Sequence, residues 1–120
     1  MAMSLAEGCH VILSKHQREI RRELRKLYRK LPAIFPVKLR WGKHQTAHAT
    51  CNLDRKKKQF NLLIDPTTHP AQWLDLLIHE YAHALSWTHA SDAKDTRWPD
   101  HGPLWGVAYA RVYQVVSGDK

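Results

Sequence analysis

Cysteine is scarce in this chain: Cys9 and Cys51 are the only two among 120 residues. Far apart and with no Cys-x-x-Cys pair, they exclude a disulfide-built scaffold and a cysteine metal knuckle, and both are expected to be free thiols. Long apolar runs are missing as well. No stretch reaches the roughly 18 apolar residues of a membrane span, and Met1 to Leu13 lacks a basic leader and carries Glu7 and His10 within its apolar part. A cytoplasmic protein with no membrane partner is expected. There is no internal repeat, no low-complexity segment, and no basic run interleaved with aromatics of the kind that stacks nucleobases.

A chain of 120 residues suits one domain, 1–120, able to bury about two thirds of its unfolded surface in a single core. Charge is plentiful and lopsided. The net charge is +8, and residues 1–58 hold 15 Lys/Arg against 4 Asp/Glu, leaving 4 against 7 for residues 59–120. A basic half fits DNA or another polyanion, because each Lys or Arg that meets a phosphate releases condensed counterions. A plain solvated helix face fits the same charge, and composition alone does not separate the two.

Ser4-Leu5-Ala6-Glu7 forms a capping box, so a long helix is expected after it. Leu5, Cys9, Ile12, Leu13, His16, Ile20, Leu24, Leu27 and Leu31 recur at three- and four-residue steps, while most of the basic residues fall elsewhere. One stripe packs and the rest is wet, with His16 an edge histidine rather than a ligand. Pro32 and Pro36 close the element. Val37 to Trp41, Thr46 to Leu53 and Gln59 to Ile64 alternate with the period of strands. Asp54 to Lys58 should be an exposed connection between the last two, and Gln59 to Ile64 an exposed sheet edge open to an extended substrate. Pro70 then opens a helix running to about Trp87 or Thr88, and Pro103 opens a last one bearing Leu104, Val107, Ala108, Val112, Val115 and Val116. The expected class is α+β: a basic amphipathic helix over 1–31, a small three-stranded, mainly antiparallel sheet over 37–64, and helices over 70–88 and 103–117.

The chemistry is concentrated in Leu76-Leu77-Ile78-His79-Glu80-Tyr81-Ala82-His83-Ala84-Leu85. Residues four apart on a helix lie one above the other, so His79 and His83 can present imidazole nitrogens to one metal ion, with Glu80 beside them as a general base. From the histidine and glutamate content, His-Glu-x-x-His arises by chance in roughly one such chain in fifty. The helical, apolar setting makes coincidence less probable still. Asp75, one turn earlier, is a candidate to orient a ligand histidine, with an exposed carboxylate as the equal alternative.

A catalytic zinc takes three protein ligands and keeps one position for water. His89 has the metzincin spacing from His83, but Ser86 stands where that pattern takes glycine. Asp92, Asp95 and Asp100 are acidic candidates on a segment with no clear helical pattern. His101, in Asp100-His101-Gly102-Pro103-Leu104-Trp105, is favoured, with His89 as runner-up.

His79-Glu80-x-x-His83, a polar loop, and His101-Gly102-Pro103-x-Trp105 opening a helix together resemble the SprT-like zinc metalloprotease domain, over most of residues 37–117. The resemblance implies a zincin-like minimal metalloprotease with Zn²⁺ on His79, His83 and His101 and with Glu80 catalytic. Bacterial members often continue into a cysteine-rich zinc ribbon and eukaryotic relatives into DNA-binding tails. With no Cys-x-x-Cys here, any DNA dependence is expected from the domain itself, and action on DNA-associated proteins follows only from some relatives. The function so implied is peptide-bond hydrolysis by a zinc-activated water; Tyr109 or Tyr113 on the last helix could add a second donor to the oxyanion, with aromatic core packing the favoured use of both. The rival is a basic nucleic-acid-associated module with structural zinc and little or no proteolytic activity.

Overall fold

Phe60, Leu62, Ile64, Trp73, Leu77 and Tyr81 are fully withdrawn from solvent, and they show how the chain is assembled. The computed structural model describes residues 5–44, 46–87 and 102–118. Helix α1 spans Leu5–Lys30, strands β1, β2 and β3 span Val37–Trp41, Ala49–Asp54 and Gln59–Ile64, and helices α2 and α3 span Pro70–Leu85 and Pro103–Gly118. The architecture is α+β, with these three helices and one small mixed sheet among the described residues. None of those helices is long and apolar enough to cross a membrane.

Helix α1 buries Ile20, Leu24 and Leu27, the expected stripe, and Leu31 packs beside them. His16 is an edge residue as expected, 3.5 Å from Glu19 and edge-on to the Trp73 ring. Ser4 of the capping box lies outside the described residues.

The sheet order is β1-β3-β2, with β1 parallel and β2 antiparallel to β3. Two expectations are corrected by this. The sheet is mixed rather than mainly antiparallel, and β3 is its central strand rather than an edge. The cause is the hydrophobic load of β3, whose Phe60, Leu62 and Ile64 are all completely buried. Placed between two neighbours, that strand satisfies its backbone on both sides while its apolar face is covered. Residues 42–58 form the crossover that a parallel pair requires, with β2 inside it. The second strand also starts at Ala49 rather than Thr46.

Helix α2 touches β2 and β3 on one side and α1 and α3 on others. Its start is built by a turn: Asp65 Oδ1 accepts from the Thr67 amide at 2.8 Å and the Thr67 hydroxyl at 2.7 Å, while Trp73 Nε1 donates to Thr68 Oγ1. His69 caps the helix, its Nδ1 accepting from the Ala71 amide, and Pro70 occupies the first turn. The helix ends at Leu85, short of the expected Trp87 or Thr88: the Ser86 amide still donates to the Ala82 carbonyl in the helical pattern, but the Trp87 amide turns to the Ala84 carbonyl, three residues back. Tyr81 hydroxyl donates to the Leu31 carbonyl and so ties α2 to the end of α1.

Helix α3 buries Ala108 and Val112, but Leu104 and Val107 are 64% and 63% exposed, against expectation. At 100° per residue the covered side is centred between Trp105, Ala108, Tyr109 and Val112, which turns Val107 outward and leaves Leu104 at the border. Tyr113, expected to pack, is 49% exposed.

The Asp65 turn carries a pH dependence. Hydrogen bonds from Thr67 hold its carboxyl below the ordinary carboxylate range. A depressed folded pKa stabilises above the unfolded value of about 3.9 and is lost as pH falls through the folded one. Urea unfolding of Asp65→Ala against the parent should therefore show a deficit at pH 6 that shrinks as the pH falls below about 4; a deficit independent of pH would refute the carboxylate's part.

Candidate metal centre

Helix α2 is buried on nearly every side, through Trp73, Leu77, Ile78, Glu80, Tyr81, Ala82 and Ala84. The row left open carries Asp75, His79 and His83. Apolar burial thus fixes the rotation of the helix, and rotation fixes where the imidazoles point. Their ring centroids are 5.1 Å apart. His79, Glu80 and His83 each offer a ligand atom, and these atoms lie within 4.8 Å of one another. Two neutral imidazoles one helical turn apart, with a carboxylate at the same point, are a donor set suited to zinc or a similar divalent ion.

The two residue types sit in different surroundings. The His79 side chain is 37% exposed whereas that of Glu80 is 8% exposed, with Oε2 at 3.9 Å from His79 Nε2. One residue further round the helix, Glu80 turns toward the sheet. There it faces Cys51 of β2, whose thiol is pushed far above its ordinary range by desolvation first and by the Glu80 charge second. Cys51 is a free thiol, as expected. Its proximity to Glu80 was not legible in the sequence. Strand alternation put Cys51 on the inward face, but no sequence signal said which strand would run beside the motif helix.

Trp105 forms a wall. Its ring centroid is 5.0 Å from that of His79 and 5.7 Å from that of His83, and its Nε1 donates to the His79 carbonyl at 3.3 Å. Tyr109 lies against Trp105 at 5.0 Å and Tyr113 stacks on Tyr109 at 6.3 Å, so an aromatic row leads from the imidazoles along α3. Gly102 begins the turn into α3 and accepts from the Gly106 amide.

Of the sequence-derived site residues, His79, Glu80 and His83 are brought together. His101, His89, Asp92, Asp95 and Asp100 lie outside the described residues. Asp75 is exposed and, among the described residues, makes no hydrogen bond to either imidazole, so the exposed-carboxylate alternative is the one realised.

No protein-family model matches the chain, and neither a curated protein nor a solved structure matches it.

The half-buried Cys51 thiol offers a direct check of this geometry. In a Cys9→Ser variant, Cys51 should react with iodoacetamide at pH 8 at least about tenfold more slowly than free cysteine, and react fully once unfolded, because the thiolate is the nucleophile. Labelling at the free-cysteine rate in the folded protein would contradict the placement of Cys51 beneath Glu80.

Proposed function

We propose that the chain is a SprT-like zinc metalloendopeptidase in which His79, His83 and His101 hold Zn²⁺ and Glu80 is the general base and acid. The observation that carries this reading is that His79 and His83, on the open row of α2, and the buried Glu80 beside them bring their ligand atoms within 4.8 Å of one another. Bound zinc would supply Lewis acidity, bringing the pKa of a coordinated water toward about 7 and polarising the substrate carbonyl.

The protein's own groups do the rest. Glu80 takes the proton from the attacking water and returns it to the leaving amine as the peptide bond breaks. Its side chain is only 8% exposed, so bulk water has little access to that exchange. Trp105 closes one side of the site and fixes the first imidazole through its bond to the His79 carbonyl. Strand β2 is the sheet edge nearest Glu80, so an extended peptide pairing along β2 would bring its carbonyl past that carboxylate with little side-chain selectivity. Proteins associated with DNA are the substrate class that the basic half favours.

The structural-zinc alternative has no use for a base beside the ligands. Glu80→Gln should keep about one zinc per chain while casein or peptide cleavage falls by at least about 10²-fold. Undiminished cleavage by that variant would remove the assigned role, and loss of zinc would make Glu80 a ligand instead. For the third ligand, His101→Ala should lose zinc and His89→Ala retain it; the reverse result would make the site metzincin-like.

A further inference from the structure

The sheet has a second face, turned away from α2 and the metal centre. Strand register places Lys38, Asn61 and Asn52 in one cross-strand row and Arg40, Leu63 and Thr50 in the next. These alternate with Val37, Leu39, Trp41, Phe60, Leu62 and Ile64, which pack into the core. A hollow of about 230 Å³ lies on this face, lined by Arg40, His44, Thr50, Lys57, Gln59 and Asn61 among others.

Its polar groups are organised and incompletely satisfied. Gln59 is only 8% exposed. Its Nε2 donates to Asn61 Oδ1 at 2.8 Å, which occupies the Asn61 oxygen and, among the described residues, leaves the Asn61 amide protons to donate elsewhere. Thr50 Oγ1 is shielded from solvent and has no hydrogen-bond partner among the described residues. Buried polar groups are seldom left so unless a ligand or water completes them. Asp54 is the acid in the lining, and its Oδ1 already accepts from the Lys57 amide at 3.0 Å. Arg40 and Lys57 are exposed, and among the described residues neither side chain pairs with a carboxylate.

We propose that this outer sheet face is a binding site for the phosphate backbone of a nucleic-acid strand, separate from the metal centre. Arg40 and Lys57 would neutralise phosphates, while the Asn61 amide donates a hydrogen bond to a phosphate oxygen. Arg40 pairs in register with Leu63, and Lys57 lies beyond Gln59 at the hairpin, so the backbone positions of the two residues stand more than about 13 Å apart along the strands. That separation suits a ligand with repeated negative charge. Lys38 on one flank and Lys56 and Lys58 at the hairpin continue the positive surface past the hollow. Among the described residues the face carries no Phe, Tyr or Trp ring for base stacking, so recognition is sequence-independent and steeply salt-sensitive. An anionic membrane fits less well, because Leu63 is the apolar side chain of these rows and offers no wedge for a bilayer. The site does not depend on the metallopeptidase reading, and a strand bound here leaves the open row of α2 free.

The test is fluorescence anisotropy of a labelled mixed-sequence single strand, titrated with the intact chain in 50 mM salt and again at higher salt. The parent should bind, and Arg40→Ala with Lys57→Ala should weaken binding at least about tenfold and lower the salt slope by about 1.4, at about 0.7 per phosphate contact. Arg40→Lys with Lys57→Arg should restore most of it, with thermal unfolding unchanged throughout. Arg18→Ala, Arg22→Ala and Arg25→Ala together, on the exposed side of α1, should weaken it less than threefold. The proposal is overturned if the parent does not bind, if the α1 variant takes the loss instead, or if the parent binds anionic vesicles but not the oligonucleotide. Full competition by a mononucleotide or inorganic phosphate at equal phosphate concentration would make this a small-molecule site and likewise overturn it.

Discussion

The burial of α2 governs the molecule. A helix covered by β2 and β3 on one side and by α1 and α3 on others has one orientation in which Trp73, Leu77, Ile78 and Tyr81 are all dry. Completely burying a side chain of this kind is worth roughly 1.5–3 kcal/mol. Rotating the helix to hide the imidazoles would expose several of these at once. The polar row of His79 and His83 is therefore directed outward by apolar packing, and the site inherits its geometry from the core.

The same packing separates the roles of neighbouring residues. His79 and His83, four apart, share the open row, while Glu80, one step further round, is carried under the sheet edge beside Cys51. Trp105 links the two halves of the arrangement, since it belongs to α3 but is bonded to the backbone of α2. A shift of α3 along α2 would disturb both imidazoles through the Trp105 ring packed against them.

Much of this was legible in the sequence, and the gaps have definite causes. Helical periodicity located the buried stripe of α1, and strand alternation found the inward residues of β3, because each depends on local spacing alone. The paired histidines were legible for the same reason. Strand order was not, because alternation says which face a residue occupies and nothing about which strands are neighbours; β3 entered the middle of the sheet on the strength of Phe60, Leu62 and Ile64. The outward turn of Val107 was hidden too, since α3 rotated to set Trp105 and Tyr109 against α2. The end of α2 was overestimated because the helix closes without glycine or proline, the Trp87 amide turning to the Ala84 carbonyl. Cys51 beside Glu80 is a contact between distant segments that no local pattern encodes.

The two faces of the small sheet differ: the inner face seats the helix that presents the imidazoles, and the outer face carries Arg40, Lys57 and the side-chain amides of Gln59 and Asn61. The central claim is that the open row of α2 is a metal site, and metal content tests it most directly. Elemental analysis of the purified parent, dialysed after exposure to zinc, should find about one zinc per chain, and the folded His79→Ala, His83→Ala double variant should hold almost none. A parent that retains no zinc, or a double variant that retains as much as the parent, would contradict the account.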